Sequence, residues 1–370
     1  MTWNWQNPDW PNFRWEASQI AAAEERFLLG AGVVIGAARH LDEAEHNQLI
    51  VEAMSGEALT TSEIEGEILN RASVQSSIQH QLGLIADKRS ISPAEQGIAE
   101  MMVDLYRSSS EPVSDEMLFR WHRKLTSGRR DLVDIGRYRT SAEPMQVISG
   151  AIGAEKVHFE APPSMQVPLE MNRFIAWFNR ITPQGSEFLP AITRAGIAHL
   201  YFESIHPLED GNGRIGRALS EKALTQGFGL LTLTALATTI LAHRKSYYEA
   251  LERANKGIEI TEWLVWFSEI ALEAQRRTLE QVEFLIAKTR LLDRLRGEIN
   301  DRQRKALLRM TREGLERFKG GLSAGNYGTI TGASPATTTR DLVDLVEKGA
   351  LVRTGERRHA RYAVNLAAEK

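Results

Sequence analysis

The chain has 370 residues, a 42% hydrophobic fraction and 45 Lys and Arg against 48 Asp and Glu, a formal net charge of −3. That length suits about two or three domains, and the near-balance of charge gives no global pull toward nucleic acid or an anionic membrane, so any such binding must be local. The absence of cysteine removes disulfides, thiolate nucleophiles and Cys-type metal sites together, and it fits a reducing cytoplasm. No basic head followed by an apolar run opens the chain, and no window reaches ~18 uninterrupted apolar residues. Neither a signal peptide nor a membrane span is expected.

In chain order, MTWNWQNPDWPNFRWE alternates aromatic, Asn and Pro residues and reads as an extended arm anchored by its tryptophans. Apolar periodicity predicts helices over Ala17 to Ala38, His46 to Ser55, Glu65 to Leu84 and Pro93 to Ser108, then one from Ser114 carrying LFRWHRKL. Arg139 to Pro163, rich in Val and Gly and closed by a double proline, predicts a β-hairpin or flap. Helices resume over Met165 to Asn179, Pro190 to Ser204, Ile215 to Gln226, Ser246 to Asn255 and Trp263 to Arg296. The last is charged and reads as a spacer, with a coiled-coil homodimer as the other reading. Beyond Gly297, helices over Arg302 to Thr311 and Ser323 to Ile330 precede one N-capped by Ser334 and ending at Gly349. Two short strands around the basic turn Gly355 to Ala360 complete a winged-helix pattern. The predicted class is mainly α.

The chemistry concentrates in His206 to Arg217, HPLEDGNGRIGR. Pro207 disfavours helix at His206, so the preceding helix stops there. Gly211 and Gly213 allow positive φ, turning successive N–H groups inward as an anion nest, and the helix opening at Ile215 adds its N-terminal dipole. Arg214 and Arg217 share a helix face, where guanidinium forks suit phosphate. Asp210 offers magnesium a hard oxygen beside that nest. His206 has the ordinary pKa, about 6.5, for a general base near neutrality.

The segment resembles the Fic signature H-P-F-x-[D/E]-G-N-G-R-x-x-R, with Leu208 in place of Phe and still apolar; the likeness covers most of 55–267. It implies a helical fold transferring AMP from ATP to a Ser, Thr or Tyr hydroxyl of a protein, with release of pyrophosphate. It further implies that His206 is the base, Asp210 the Mg2+ ligand, and Asn212 with the Gly211 and Gly213 amides the phosphate cradle. Ile215 and Gly216 continue that nucleotide-side segment, with Arg214 a phosphate clamp and Arg217 the holder of the terminal phosphate. YYEALERANKG resembles the second nucleotide-side element and points to Tyr247 and Asn255 near the adenosine. The flap's end maps to Val157, His158, Phe159 and Glu160, a place to hold a target segment by strand addition.

TSEIEG, 61–66, resembles the family's inhibitory motif [S/T]-x-x-x-E-[G/N]. That resemblance implies an ion pair between Glu65 and Arg217 that withholds the arginine from the γ-phosphate. Ser62 and Glu65 also have capping-box spacing, which gives Glu65 a second reading, as part of a helix start. His199, Glu203 and His206 share one helical face; their order is not that of a zinc protease, and His199 reads as a core residue.

In the terminal module, Arg340, Arg353, Arg357, Arg358 and Arg361 suit DNA phosphate, while Asp341, Asp344 and Glu347 dilute the same helix, leaving DNA binding and protein docking both open. The reading is an arm and helical region with the inhibitory motif over 1–110, a catalytic core over 111–275, a helical linker over 276–298 and a winged-helix domain over 299–370. The expected partners are ATP and an unidentified protein target, with self-modification expected of a braked enzyme and a homodimer left open. Alternatives are a DNA-binding regulator whose core senses a nucleotide, or a related enzyme that uses another nucleotide or removes AMP.

Overall fold

The computed structural model describes residues 2–39, 41–85, 89–149, 156–183, 185–227, 234–311 and 320–366. It divides into two units, residues 1–36 with 50–278, and 37–49 with 279–370. In chain order the helices are α1 Ala17–Ala38, α2 Glu43–Ile64, α3 Arg71–Gln81, α4 Pro93–Arg107 and α5 Asp115–Leu125. The strands β1 Gln146–Ser149 and β2 Lys156–Glu160 follow, then α6 Val167–Arg180, α7 Ala191–Ile205 and α8 Asn212–Gln226. Next come α9 Leu236–Ala242, α10 Arg244–Ala254 and α11 Thr261–Arg294. No described helix is long and apolar enough to cross a membrane.

The first unit is organised around α7, which is apolar on nearly every face and buried from Ile192 to Ile205 apart from Glu203. A helix hydrophobic all round belongs inside a core. The exposed start of such a helix needs an anionic partner, and Glu24 supplies it by accepting the Ile192 and Thr193 amides at 3.1 and 2.7 Å. α8 packs along α7 through Ile215, Ala218 and Leu219. This pairing fixes the 206–211 connection at the end of two immobilised helices.

Three departures from the predicted elements bear on the site. α2 runs to Ile64, past the predicted stop at Ser55, because Ala58 and Ile64 continue its buried apolar face, and its Ser55 and Thr60 hydroxyls donate to the Val51 and Gly56 carbonyls. Glu65 therefore stands just past a helix C-terminus, where its N–H donates to the Ser62 carbonyl and Gly66 adopts φ 87°. The capping-box reading of Ser62 and Glu65 is thereby corrected, since no helix begins there. α9 is absent from the predicted elements because its sequence is β-branched; the buried Glu57 carboxylate caps it by accepting the Ala237 and Thr238 amides at 2.7 and 3.2 Å.

β1 and β2 pair antiparallel, with a register irregularity between Val147 and Ile148, and form the predicted flap; its tip, 150–155, lies outside the described residues. The N-terminal arm has a 3-10 turn at Asn4–Gln6 and further hydrogen-bonded turns over 7–13, so the extended arm expected from sequence is corrected, its Asn and Pro residues turning the chain. Trp3 meets Phe159 edge-on at 5.4 Å, the Trp5 indole donates to the Glu160 carbonyl, and Trp10 meets Tyr201 at 5.1 Å. Its tryptophans anchor it to the core and the flap.

In the second unit, α12 Asp301–Thr311, α13 Ala324–Thr331 and α14 Pro335–Glu347 precede an antiparallel hairpin of β3 Leu351–Thr354 and β4 Arg361–Val364. Leu322 bridges to Tyr362, adding a short third strand position. A separate core of Leu307, Leu322, Tyr327, Leu342, Leu345 and Leu351 holds these elements together. Ser334 caps α14 by accepting the Thr337 amide, with Pro335 in its first turn.

Candidate functional site

The 206–217 loop is set by two backbone devices. His206, the residue after α7, takes φ 49° and ψ 59°, an uncommon left-handed conformation for a side chain. Arg139 holds it there: its backbone N–H donates to the Pro207 carbonyl at 3.0 Å and its Nε to the His206 carbonyl at 2.8 Å. Gly211, with φ 84°, then turns the chain into α8, which begins at Asn212, one turn earlier than the predicted Ile215. Gly213 is consequently helical, and only Gly211 of the two glycines uses positive φ. The intrahelical ladder begins with Ile215 N–H to the Gly211 carbonyl, so the amides of Asn212, Gly213 and Arg214 are the donors that an anion meets at this helix end.

The side chain of Asn212, predicted to help cradle phosphate, does something else. Its Oδ1 accepts the Leu208 amide and its Nδ2 donates to the Leu208 carbonyl, both at 2.9 Å. It staples the loop across its mouth and leaves anion contact to backbone. Leu208 is buried, anchoring the loop as the usual aromatic would. Ile215 is buried in the core and Gly216 backs onto Glu203 and His199, so neither presents a side chain to the loop's mouth.

Both arginines are occupied by carboxylates of one turn after α2. Arg217, 3% exposed, donates through Nη2 to Glu65 Oε1 at 2.6 Å, and through Nε and Nη2 to the Thr61 hydroxyl and carbonyl. Among the described residues its Nη1 has no hydrogen-bond partner. Arg214 donates to Glu67 at 2.8 Å. Gly213 admits this arrangement: a Cβ there would stand 2.2 Å from Glu65 Oε1. Asp210 accepts the Gly211 amide at 2.6 Å and faces Arg129 at 2.5 Å and Arg214 at 3.4 Å. Burial works to raise its pKa, but Arg214, Arg129 and the Gly211 amide outweigh burial and hold it below the usual carboxylate value.

His206 is only partly exposed. Burial first, and the Arg139 guanidinium second, pull its pKa down to about 4, against a hydrogen bond to the Glu203 carbonyl that works the other way. The ring is neutral at physiological pH with one nitrogen available to accept a proton. Glu203, 3.8 Å from its Nδ1, is pushed up to about 8 by burial and then by Glu65, with Arg217 opposing, so it is protonated at neutral pH. His199 lies in the core, its Nε2 2.8 Å from the Tyr247 hydroxyl and its ring stacked on Trp263.

Tyr247 and Asn255, predicted beside an adenosine, are both buried and engaged internally. Tyr247 pairs with His199, and Asn255 accepts the Ser204 hydroxyl at 3.2 Å while its carbonyl accepts the Asn4 amide. Tyr248, which is exposed, reaches the Ile64 carbonyl at 3.3 Å beside Glu65. Of the flap residues, Val157 pairs with Ile148, Phe159 is buried under Trp3, and Glu160 accepts the Gln146 amide. His158 contacts Glu252 of α10 at 2.7 Å, tying the flap to the helix that carries Tyr247.

Sequence reasoning missed Thr61 as an Arg217 acceptor, Glu67, Arg129 and Arg139. Glu67, two residues beyond Glu65, carried a signal, because a second acid after the motif can reach a second arginine. Arg129 and Arg139 carried none, since their contacts are made across 81 and 67 residues of chain.

Residues 112–224 match the Fic/DOC family, and residues 3–84 match a domain of unknown function, DUF4172. A probable protein adenylyltransferase of Aquifex aeolicus is 30% identical over 152 residues, 41% of this chain and 40% of that one. The protein adenylyltransferase Fic of Nematostella vectensis is 30% identical over 150 residues, 40% of this chain and 30% of its own length. The chain thus spans well under half of these curated relatives. A Fic family protein from Desulfovibrio desulfuricans aligns in structure over 94% of this chain and 97% of its own, with TM-score 0.53 and 22% identity. A Fic domain containing signaling protein from Bacteroides thetaiotaomicron aligns over 72% and 97%, with TM-score 0.52 and 15% identity. These two share the fold.

Proposed function

On the premise of a Fic/DOC domain over residues 112–224, we propose that this chain is a protein adenylyltransferase held in check by Glu65. The observation that carries the reading is a neutral imidazole at His206 beside the free amides that open α8, with both loop arginines neutralised from outside. His206 accepts the proton of a Ser, Thr or Tyr hydroxyl on the target. The hydroxyl oxygen bonds to the α-phosphorus of ATP, and the bond to the bridging oxygen breaks, releasing pyrophosphate. The α8 amides, with Arg214 and Arg217 once freed, hold the phosphates.

Asp210 fits a magnesium ion. It is an ionised carboxylate beside an anion nest, and magnesium takes one or two carboxylates together with substrate phosphates. Asp210 would hold the ion together with substrate phosphates. When bound it neutralises phosphate charge. Arg129 must yield part of the Asp210 carboxylate for this. The edge of the hairpin serves to hold the target strand, with the chain itself one possible target.

Incubation of the purified chain and its Glu65→Gly variant with magnesium, lysate and ATP labelled on the α-phosphate tests the reading on a denaturing gel. Protein bands carrying label support it. Unlabelled protein from both, with ATP binding measured separately, overturns it.

Two further outcomes are expected. A base works only while neutral, and His206 is neutral above its depressed pKa. The acid limb of kcat/KM should therefore lie near pH 4 to 5, well below the ordinary imidazole's value of about 6.5. A limb at 6.5 or above would assign the base elsewhere. Glu67 is more exposed than Glu65, so its pair with Arg214 contributes less. Glu67→Ala should raise transfer about two- to five-fold, the equivalent of a partly exposed ion pair. A decrease would mean that Glu67 positions Arg214 instead of restraining it.

A further inference from the structure

We infer that the second unit binds duplex DNA through the exposed face of α14 and the basic turn between β3 and β4. Charge is segregated along the chain. The second unit, 37–49 with 279–370, holds 19 Lys and Arg against 15 Asp and Glu, whereas the whole chain is net −3. The surplus of positive charge is local to this unit.

Two of the three acids that dilute α14 in sequence, Asp341 and Asp344, are held by neighbouring side chains. Asp341 is buried, where it accepts from Arg302 at 3.0 Å, from the Tyr327 hydroxyl at 2.9 Å and from Asn300 at 3.3 Å. Asp344 accepts from Gln303 and Lys348, both at 2.7 Å. Both carboxylates thus tie α14 to its own neighbours. The face left open carries Ala336, Thr339, Arg340 and Val343, and Glu347 is its one acid, at the far end.

Arg340, Arg353 and Arg357 are exposed and make no ion pair among the described residues. Arg361 is exposed as well, with Nη1 on the Ala360 carbonyl, and Glu356 is the single acid of the turn. The side chain of Arg358 lies outside the described residues. β3 follows α14 and packs beside it, so the helix and the basic turn belong to one small unit.

Small and hydroxyl-bearing residues at the start of a helix, followed by an arginine, fit a major groove about 12 Å wide, with guanidinium groups from the flanking turn on phosphate. A protein partner would need an apolar or aromatic anchor. Over 320–366 the exposed large apolar side chains are Val343 and Val352, with no aromatic among them. A-form RNA presents a groove too deep and narrow for such a helix.

The test is fluorescence anisotropy of a labelled mixed-sequence DNA duplex titrated with the full chain at about 50 and about 200 mM salt. Micromolar binding at the lower salt is expected. If the three arginines neutralise about three phosphates and release their counterions, affinity should fall about 40-fold at the higher salt. Arg340→Ala/Arg353→Ala/Arg357→Ala, checked for an unchanged melting temperature, should remove most binding while AMP transfer continues. Absence of binding at low salt, or binding untouched by the triple variant, would overturn the assignment. Transfer activity reads out independently, so this inference and the proposed enzymatic function fail separately.

Discussion

Replacing Glu65 by glycine is expected to raise labelling from α-phosphate-labelled ATP about 10- to 1,000-fold. Arg217 is buried and its guanidinium is held in place by Thr61 through Nε and Nη2, independently of Glu65. Removing the carboxylate therefore leaves the arginine where it is and deletes only its neutralising partner. The guanidinium then lacks its ionised partner, while burial, the larger of the two causes that raise the Glu203 pKa, is left in place. A buried, oriented and unneutralised guanidinium favours an incoming phosphate, whereas a carboxylate beside it repels the same anion by up to several kcal/mol. At about 1.4 kcal/mol per factor of ten, one to about three factors are at stake. The variant should also melt lower than the parent without nucleotide and recover with ATP, since ATP restores a countercharge. An unchanged rate, with the circular dichroism spectrum intact, would remove the brake from the account.

His206→Ala, made in the Glu65→Gly background, is expected to lower transfer about 100- to 10,000-fold while leaving the dissociation constant of ATP within about twofold. In the proposed mechanism the imidazole acts on the attacking hydroxyl, and the donors assigned to phosphate are amides and arginines that the substitution leaves alone. The substitution also removes a side chain from a left-handed residue that Arg139 clamps through the backbone carbonyl, so the loop geometry should persist. If ATP binding fell in step with the rate, His206 would be a binding residue and the proton would need another acceptor.

Much of the loop was legible because its constraints are local. Proline after a helix stops it, glycine permits a reversal, and arginines three apart share a face, so 206–217 announces an anion site without tertiary information. The ion pair between Glu65 and Arg217 followed from the resemblance and is present at 2.6 Å. What escaped the sequence depends on distant partners. Asn212 was expected to face phosphate, and its amide instead closes a ring on Leu208, a choice decided by how tightly the loop folds. α2 overran its predicted end because Ala58 and Ile64 find a core built by distant helices, and α9 formed because Glu57 arrived from elsewhere to cap it. Asp341 and Asp344 looked like surface acids in sequence, and their partners Arg302, Tyr327 and Gln303 lie on other helices.

The staple between Asn212 and Leu208 has a thermodynamic consequence. A catalytic loop that must be frozen by its substrate loses about 1–2 kcal/mol of backbone entropy for each residue ordered at that moment. Here the amide ring, the Arg139 clamp and two packed helices have fixed the chain before any nucleotide arrives. The temperature dependence of ATP binding should therefore report mainly solvent and ion-pair exchange, with little contribution from ordering of the loop.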